Sequence, residues 1–380
     1  MNLYFALRLS RENYPYTISL AEGVAVAFIY DDFIDKAEFI AFLLEEAARR
    51  KISVIWVDLE GKFLPLLIQI KEKYGIEYGL FDTLGVLGAP VSLCSSYFFP
   101  PSLALMLNLD DRCFRKILRD VKYRNFNSVI KAVKKAKCRY ENYDILTKIL
   151  QFRDLADIER ETKRGMFMLP YFDDKSLRFA YALALYLVQY LAGTPLLFLM
   201  EEPYLLLNKR YVWDLLTSPP SNSLYLHLIP VEWCNKLKLD KYMYLISPPR
   251  TSPQIGKLLG YTEVRGAISF KKRGGKWRMK KIEWRTNLNI RISEIEEVRK
   301  LAKALTREFY EKPPEDIPLV DTSVLDLSMK TILFKAILNL MGAYLFQYIN
   351  LKTGFLADRL IIAFKIFEWA KRKIESNEKE

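Results

Sequence analysis

Val24-Ala25-Val26-Ala27-Phe28-Ile29-Tyr30-Asp31-Asp32-Phe33-Ile34-Asp35-Lys36-Ala37 is the stretch that decides the fold. Residues 24–29 form an unbroken apolar run, the pattern of a strand covered on both faces. Residues 30–37 carry three aspartates and read as a loop. A helix is expected over 38–51, with Phe39, Ile40, Phe42, Leu43 and Leu44 as its apolar face. Ile52-Ser53-Val54-Ile55-Trp56-Val57-Asp58 then reads as a second buried strand. Strand, helix and strand in this order make a right-handed parallel unit.

The loop has the frame of the phosphate-binding pattern G-x-x-x-x-G-K-[ST] without its chemistry. Tyr30 and Asp35 stand at the two glycine positions, and Ala37 stands at the hydroxyl position. Only Lys36 is kept. Glycines let backbone N–H groups close around phosphates, and the hydroxyl holds magnesium. With these gone and Asp31, Asp32 and Asp35 beside the site, no nucleotide or other cofactor is expected. The aspartates are expected to cap the helix, and Lys36 to pair with one of them.

The 380 residues suffice for a sizeable core, and a hydrophobic share of 51% excludes global disorder. A net charge of +13 calls for an anionic partner, although abundant lysine and glutamate also suit a protein from a hot organism. His227 is the single histidine, which excludes a histidine-based metal centre or triad. Cys94, Cys113, Cys138 and Cys234 show no C-x-x-C spacing and are read as buried thiols of a cytoplasmic protein. The apolar stretch 331–349 is broken by Lys335, Asn339 and Gln347, so it reads as a core helix and no membrane association is expected.

Residues 3–10 and 16–20 read as a hairpin, and residues 82–191 as mostly helical. Further strands are expected over 195–200, ending in Glu201-Glu202, and over 224–229 and 243–247. Runs at 266–270 and 277–284 flank Lys271-Lys272-Arg273-Gly274-Gly275-Lys276, a hairpin signal. An amphipathic helix (294–312), a proline-rich linker (312–318) and a helical tail follow, with disorder from 375. The division is 1–81 and 193–311 as two halves of one core, 82–192 as a helical insertion, and 312–380 as linker and C-terminal region.

Over roughly residues 15–290 this order resembles the HerA–FtsK family of DNA-pumping P-loop ATPases, in its archaeal HerA branch. Asp58-Leu59-Glu60-Gly61-Lys62-Phe63 looks like the family's acidic turn after the second strand. Residues 196–202 look like its Walker B strand, with Glu201 in the aspartate position and Glu202 in that of the catalytic base. Pro230-Val231 stands where a polar sensor residue would be, and Ile255-Gly256-Lys257-Leu258-Leu259-Gly260 resembles the late leucine-glycine segment. The resemblance implies an α/β fold: a RecA-like, mostly parallel central sheet with a large helical insertion and a helical C-terminal tail. The departures fall on the catalytic positions, so the expectation is a pseudo-ATPase with Lys36, Glu201 and Glu202 as vestiges.

Two basic clusters point to nucleic acid. Lys271, Lys272, Arg273, Lys276, Arg278, Lys280 and Lys281 are interleaved with Trp277 and Trp284, which suits a phosphate backbone with occasional base stacking. Between Arg112 and Arg139 lie eleven cations against Asp120 alone, either a second such face or a solvated one. The expectation is a non-hydrolysing subunit that binds DNA or a protein of a DNA-processing complex, monomeric or dimeric in isolation. The alternatives are a residually active ATPase using Lys36 and Glu202, a metal-dependent nuclease using Asp58, Glu201 and Glu202 as oxygen ligands, and a purely structural subunit.

Overall fold

The computed structural model describes residues 6–8, 17–57, 64–76, 78–81, 105, 108–120, 126–138, 167–170, 182 and 195–288. The expected N-terminal hairpin is β1 (Ala6–Arg8) against β2 (Thr17–Ser19), a separate antiparallel pair. The chain then turns through Gly23 into β3 (Val24–Tyr30). Gly23 has φ +69°, and a Cβ there would lie 2.4 Å from the Pro219 carbonyl oxygen, so two backbones approach where no side chain fits.

Nine strands form the main sheet. Beside β3 they are β4 (Ser53–Val57), β5 (Tyr78–Phe81), β6 (Phe167–Pro170), β7 (Leu196–Glu201), β8 (Ser223–Pro230), β9 (Tyr244–Ser247), β10 (Ile268–Arg273) and β11 (Lys276–Lys281). Their order is β11-β10-β9-β3-β8-β7-β4-β6-β5. From β9 to β5 every pairing is parallel, and β10 and β11 add antiparallel to β9. This is the expected α/β, RecA-like, mostly parallel central sheet. Strand β6 lies within the stretch read as mostly helical. The linker, the tail, residues 331–349 and the helix at 294–312 lie outside the described residues. No helix among the described residues is long and apolar enough to cross a membrane.

Helix α1 (Phe33–Arg49) begins five residues before the sequence pattern places it, and this is the main correction to the reading of the loop. Asp32 is in extended conformation and its carboxylate accepts from the Ile34 amide at 2.8 Å, an N-cap that starts the helix at once. Two residues, Asp31 and Asp32, are all that separates strand from helix. On the sheet, Phe28 stacks on Phe39 at 4.0 Å between ring centres. Farther along, the fully buried Glu45 accepts from Tyr74 of α2 (Leu64–Tyr74), from Arg49 at 2.9 Å and from the Asn287 amide at 3.0 Å.

Helices α3 (Asp111–Asp120) and α4 (Phe126–Lys135) fall within residues 82–192, the stretch read from sequence as a helical insertion. Cys113 and Cys138 form a disulfide, which corrects the reading of these two as free thiols. A helical hairpin brings the first turn of α3 beside Cys138, three residues past the end of α4, a proximity no short Cys spacing announces. Cys234 is the buried free thiol among the described residues, and Cys94 lies outside them.

Candidate functional site

At the carboxyl edge of the sheet β3 ends at Tyr30, opposite Pro230 of β8, and β7 ends at Glu201. Lys36, in the first turns of α1, reaches across this edge to Glu201. Its Nζ lies 3.3 Å from Oε1, and both side chains are less than a tenth exposed. The ammonium sits beside the Tyr30 and Phe33 rings, 5.4 and 5.1 Å from their centres. The expected partners Asp31, Asp32 and Asp35 are thus not what holds Lys36. Asp32 is committed to its cap and to Arg250 at 2.7 Å. Asp35 has one buried carboxylate oxygen, and burial raises its pKa, opposed by Arg250 and reinforced by Asp32 and Asp31. A helix projects successive residues 100° apart, which turns Lys36 towards β7 rather than towards its acidic neighbours.

The backbone is equally far from a phosphate cradle. An anion nest needs consecutive N–H groups in an alternation of right- and left-handed residues. No residue from Tyr30 to Ala37 has a positive φ. The Ile34 amide serves the Asp32 side chain, and the Lys36 amide donates to the Asp32 carbonyl at 3.3 Å.

Glu202 follows in left-handed conformation, φ 47°, at the head of the short turn Pro203–Leu206. Burial pushes the Tyr30 phenol up to about 12, with Lys36 opposing and Glu201, Glu202 and Glu232 adding to the rise. Tyr204 is raised as well, by burial first and by Glu202 second, and stacks on Trp233 at 4.2 Å. Asp58 lies outside the described residues, so its convergence with Glu201 and Glu202 is not on view. Among the described residues no group of three His, Cys, Asp or Glu side chains is placed to hold a metal.

The second candidate site is the ribbon β10–β11. Its turn is only Gly274-Gly275, with φ +56° and +76°, so β10 runs three residues and β11 one residue farther into the basic segment than the sequence pattern suggests. Positive φ at both central residues matches the twist of the strands, which is why glycine occupies both places. The rungs are Arg273↔Lys276, Lys271↔Arg278 and Ser269↔Lys280, alternating with Lys272↔Trp277, Phe270↔Met279 and Ile268↔Lys281. Directly opposed residues share a face. One face therefore gathers Lys271, Arg273, Lys276, Arg278 and Lys280, all exposed. Lys272 and Lys281 fall on the other. Lys272 donates to the Asp240 carbonyl at 2.9 Å, and Lys281 lines a cavity of about 510 Å³ with Asp35, Glu38 and Glu283 at the base of the ribbon.

Neither tryptophan stands exposed among the cations. Trp277 packs on the core, its carbonyl accepting from Tyr261 at 2.6 Å, and Trp284 lies edge-on to Phe28 and Phe39 at 5.8 and 5.0 Å. Neither forms the exposed stacking platform expected from sequence. Period-two counting across a two-residue turn was the signal that sorts these side chains by face. The register also sets the ribbon's direction: Ile268 pairs with Ser247 at the carboxyl end of β9, and Lys271 with Tyr244 at its start. The cationic tip thus lies at the opposite edge of the sheet from Lys36 and Glu201.

No family model matches the chain, and no curated protein matches it. Among solved structures it is similar to the bacterial conjugative coupling protein TrwBdeltaN70 in an unbound monoclinic form. That likeness has a TM-score of 0.42 and 11% identity, over 74% of this chain and 87% of that one.

Proposed function

We propose that this chain is a non-hydrolysing, HerA–FtsK-like protein that binds nucleic acid through the β10–β11 ribbon. The observation that carries this reading is the cationic face. Arg273 faces Lys276 and Lys271 faces Arg278 across the ribbon. Like charges directly opposed cost stability, and a polyanion laid over them turns the cost into affinity. The Lys36–Glu201 pair supports the other half of the reading, since the ammonium that meets phosphate in a P-loop is here paired with the chain's own carboxylate. The packing of Trp277 and Trp284, neither of them exposed, favours contact with the phosphate backbone over base stacking.

The test is duplex binding by fluorescence anisotropy between about 50 and 200 mM salt, a range over which phosphate-driven binding falls steeply. With five contacts the slope of log K against log salt is about −4.5, from roughly −0.9 per contact. Replacing Lys271, Arg273, Lys276 and Arg278 by glutamate removes the ribbon's share of this binding, lowering the affinity and flattening the salt slope, while leaving the melting curve in place, because all four are exposed. Unchanged affinity in the folded variant refutes the assignment.

A further inference from the structure

The helices α3 and α4 carry a second basic surface. On α3, Phe114 and Ile117 are buried while Arg115, Lys116 and Arg119 are exposed. On α4, Ala132 and Val133 are buried while Lys131 and Lys134 are exposed. The Cys113–Cys138 bond ties the two helices together. Asp110 and Asp111, the acids at the start, are used locally. Asp110 accepts from the Cys113 amide at 2.6 Å and Asp111 from the Tyr211 amide at 3.1 Å.

The two basic surfaces lie on opposite sides of the sheet, and the register establishes this. Ser269 pairs with Ile246, which pairs with Phe28, and Phe28 stacks on Phe39 of α1. The cationic ribbon face is therefore the α1 face. Phe270 pairs with Leu245, then Ala27, then His227, and His227 meets Trp213 of α5 (Arg210–Leu216) at 5.8 Å. That is the other face. Tyr211, two residues from Trp213 and so turned away from the sheet, stacks on Phe114 of α3 at 4.2 Å. Lys209 fastens the same joint by donating to the Leu109 carbonyl at 2.9 Å. The helical hairpin thus stands outside α5, with α5 and the sheet between it and the ribbon. Two layer spacings give a separation on the order of 20 Å.

We infer that the chain joins two nucleic-acid duplexes, one on the ribbon face and one on the α3–α4 face. This rests on the ribbon reading above. A duplex is stiff over about 150 base pairs, so a short one does not fold back to reach both sides of the protein. The chain's own charge of +13 keeps copies apart until a polyanion neutralises it.

The experiment uses a duplex of about 20 base pairs fixed to a surface, a second labelled duplex in solution, and the full chain, with capture of the label as the readout; that length is well below the duplex persistence length. The wild-type protein captures the second duplex. The ribbon variant (Lys271, Arg273, Lys276 and Arg278 to Glu) and the helical variant (Arg115, Lys116, Lys131 and Lys134 to Glu) each still bind one duplex but lose capture at least tenfold. Glutamine at the same positions gives the same loss in smaller measure and serves if a glutamate set fails to fold. A single-surface variant that captures as well as wild type shows joining by self-association and overturns the inference. Wild-type protein that binds duplex without capturing a second overturns it too. Failure of the wild type to bind any duplex overturns the ribbon reading itself.

Discussion

Lys36 Nζ lies 3.3 Å from Glu201 Oε1, both side chains buried, and so the start of α1 is tied to the carboxyl end of β7. The lysine holds its place in the phosphate-binding pattern, but its charge is met from inside the fold. A lysine left facing three aspartates in solvent would be worth little. Buried between two aromatic rings, the same charge requires a close partner.

Removing one member of this pair should therefore be costly. Lys36→Met takes from the buried Glu201 carboxylate the ammonium 3.3 Å away, and Glu201→Met takes that carboxylate from the buried ammonium. Each is expected to lower unfolding stability by about 3–5 kcal/mol, read from urea midpoints. The double variant should lose much less than the sum, because apolar groups of similar volume replace both charges. Additive losses would show that the pair is not a unit.

ATP with magnesium should not stabilise the protein. A ligand present at a hundred times its Kd adds about 2.7 kcal/mol, which a melting curve resolves. No rise is expected at millimolar nucleotide, because the strand-to-helix connection is two residues long and offers no nest. Restoring pattern residues by Tyr30→Gly, Asp35→Gly and Ala37→Ser should still give no hydrolysis, since Glu201 continues to hold Lys36. A melting rise of several degrees in the unaltered chain contradicts this.

The parallel core was legible because its strands are continuous apolar runs: 24–29, 52–58 and 195–200 each fall on an observed strand. Long-range contacts were not. Nothing local to Lys36 names Glu201, and Asp31, Asp32 and Asp35 pointed the wrong way. The helix start was misplaced because a glycine-based template was laid over Asp32, whose own chemistry is that of an N-cap. The ribbon was found by its Gly-Gly, but its cations were counted rather than sorted by alternation. The Cys113–Cys138 bond depends on two helices packing side by side, which spacing in the chain does not encode.

His227 should make stability depend on pH. Its ring is fully buried, shares a 2.7 Å hydrogen bond with the Tyr242 hydroxyl, and burial pushes its pKa down to about 3. In the unfolded chain it titrates near 6.5, an ordinary histidine value. Between these values the unfolded state binds the extra proton, so stability falls as pH falls through the window from about 6.5 to about 3. The slope from one such group is at most about 1.4 kcal/mol per pH unit. His227→Gln, which keeps a hydrogen-bonding group beside Tyr242, should flatten the curve below pH 6.5 by that amount. Curves that stay parallel for the two proteins would show that the ring is protonated in the folded state.

The last prediction concerns the bond between α3 and α4. The chain has four cysteines, so unfolded and reduced protein should titrate four thiols, and unfolded protein without reductant two fewer. Closing a span of 25 residues stabilises by about 3–4 kcal/mol on the loop-entropy account. Reductant should accordingly lower the melting temperature, and Cys113→Ser with Cys138→Ser should melt at the reduced value whether or not reductant is present. Because α3 is anchored to α5 through Phe114, Tyr211 and Lys209, the loss should fall on α4 first. Proteolysis under reducing conditions should therefore cut near Lys131, Lys134 and Lys135 before it cuts in the sheet, and equal protection with and without reductant would rule the bond out as a brace.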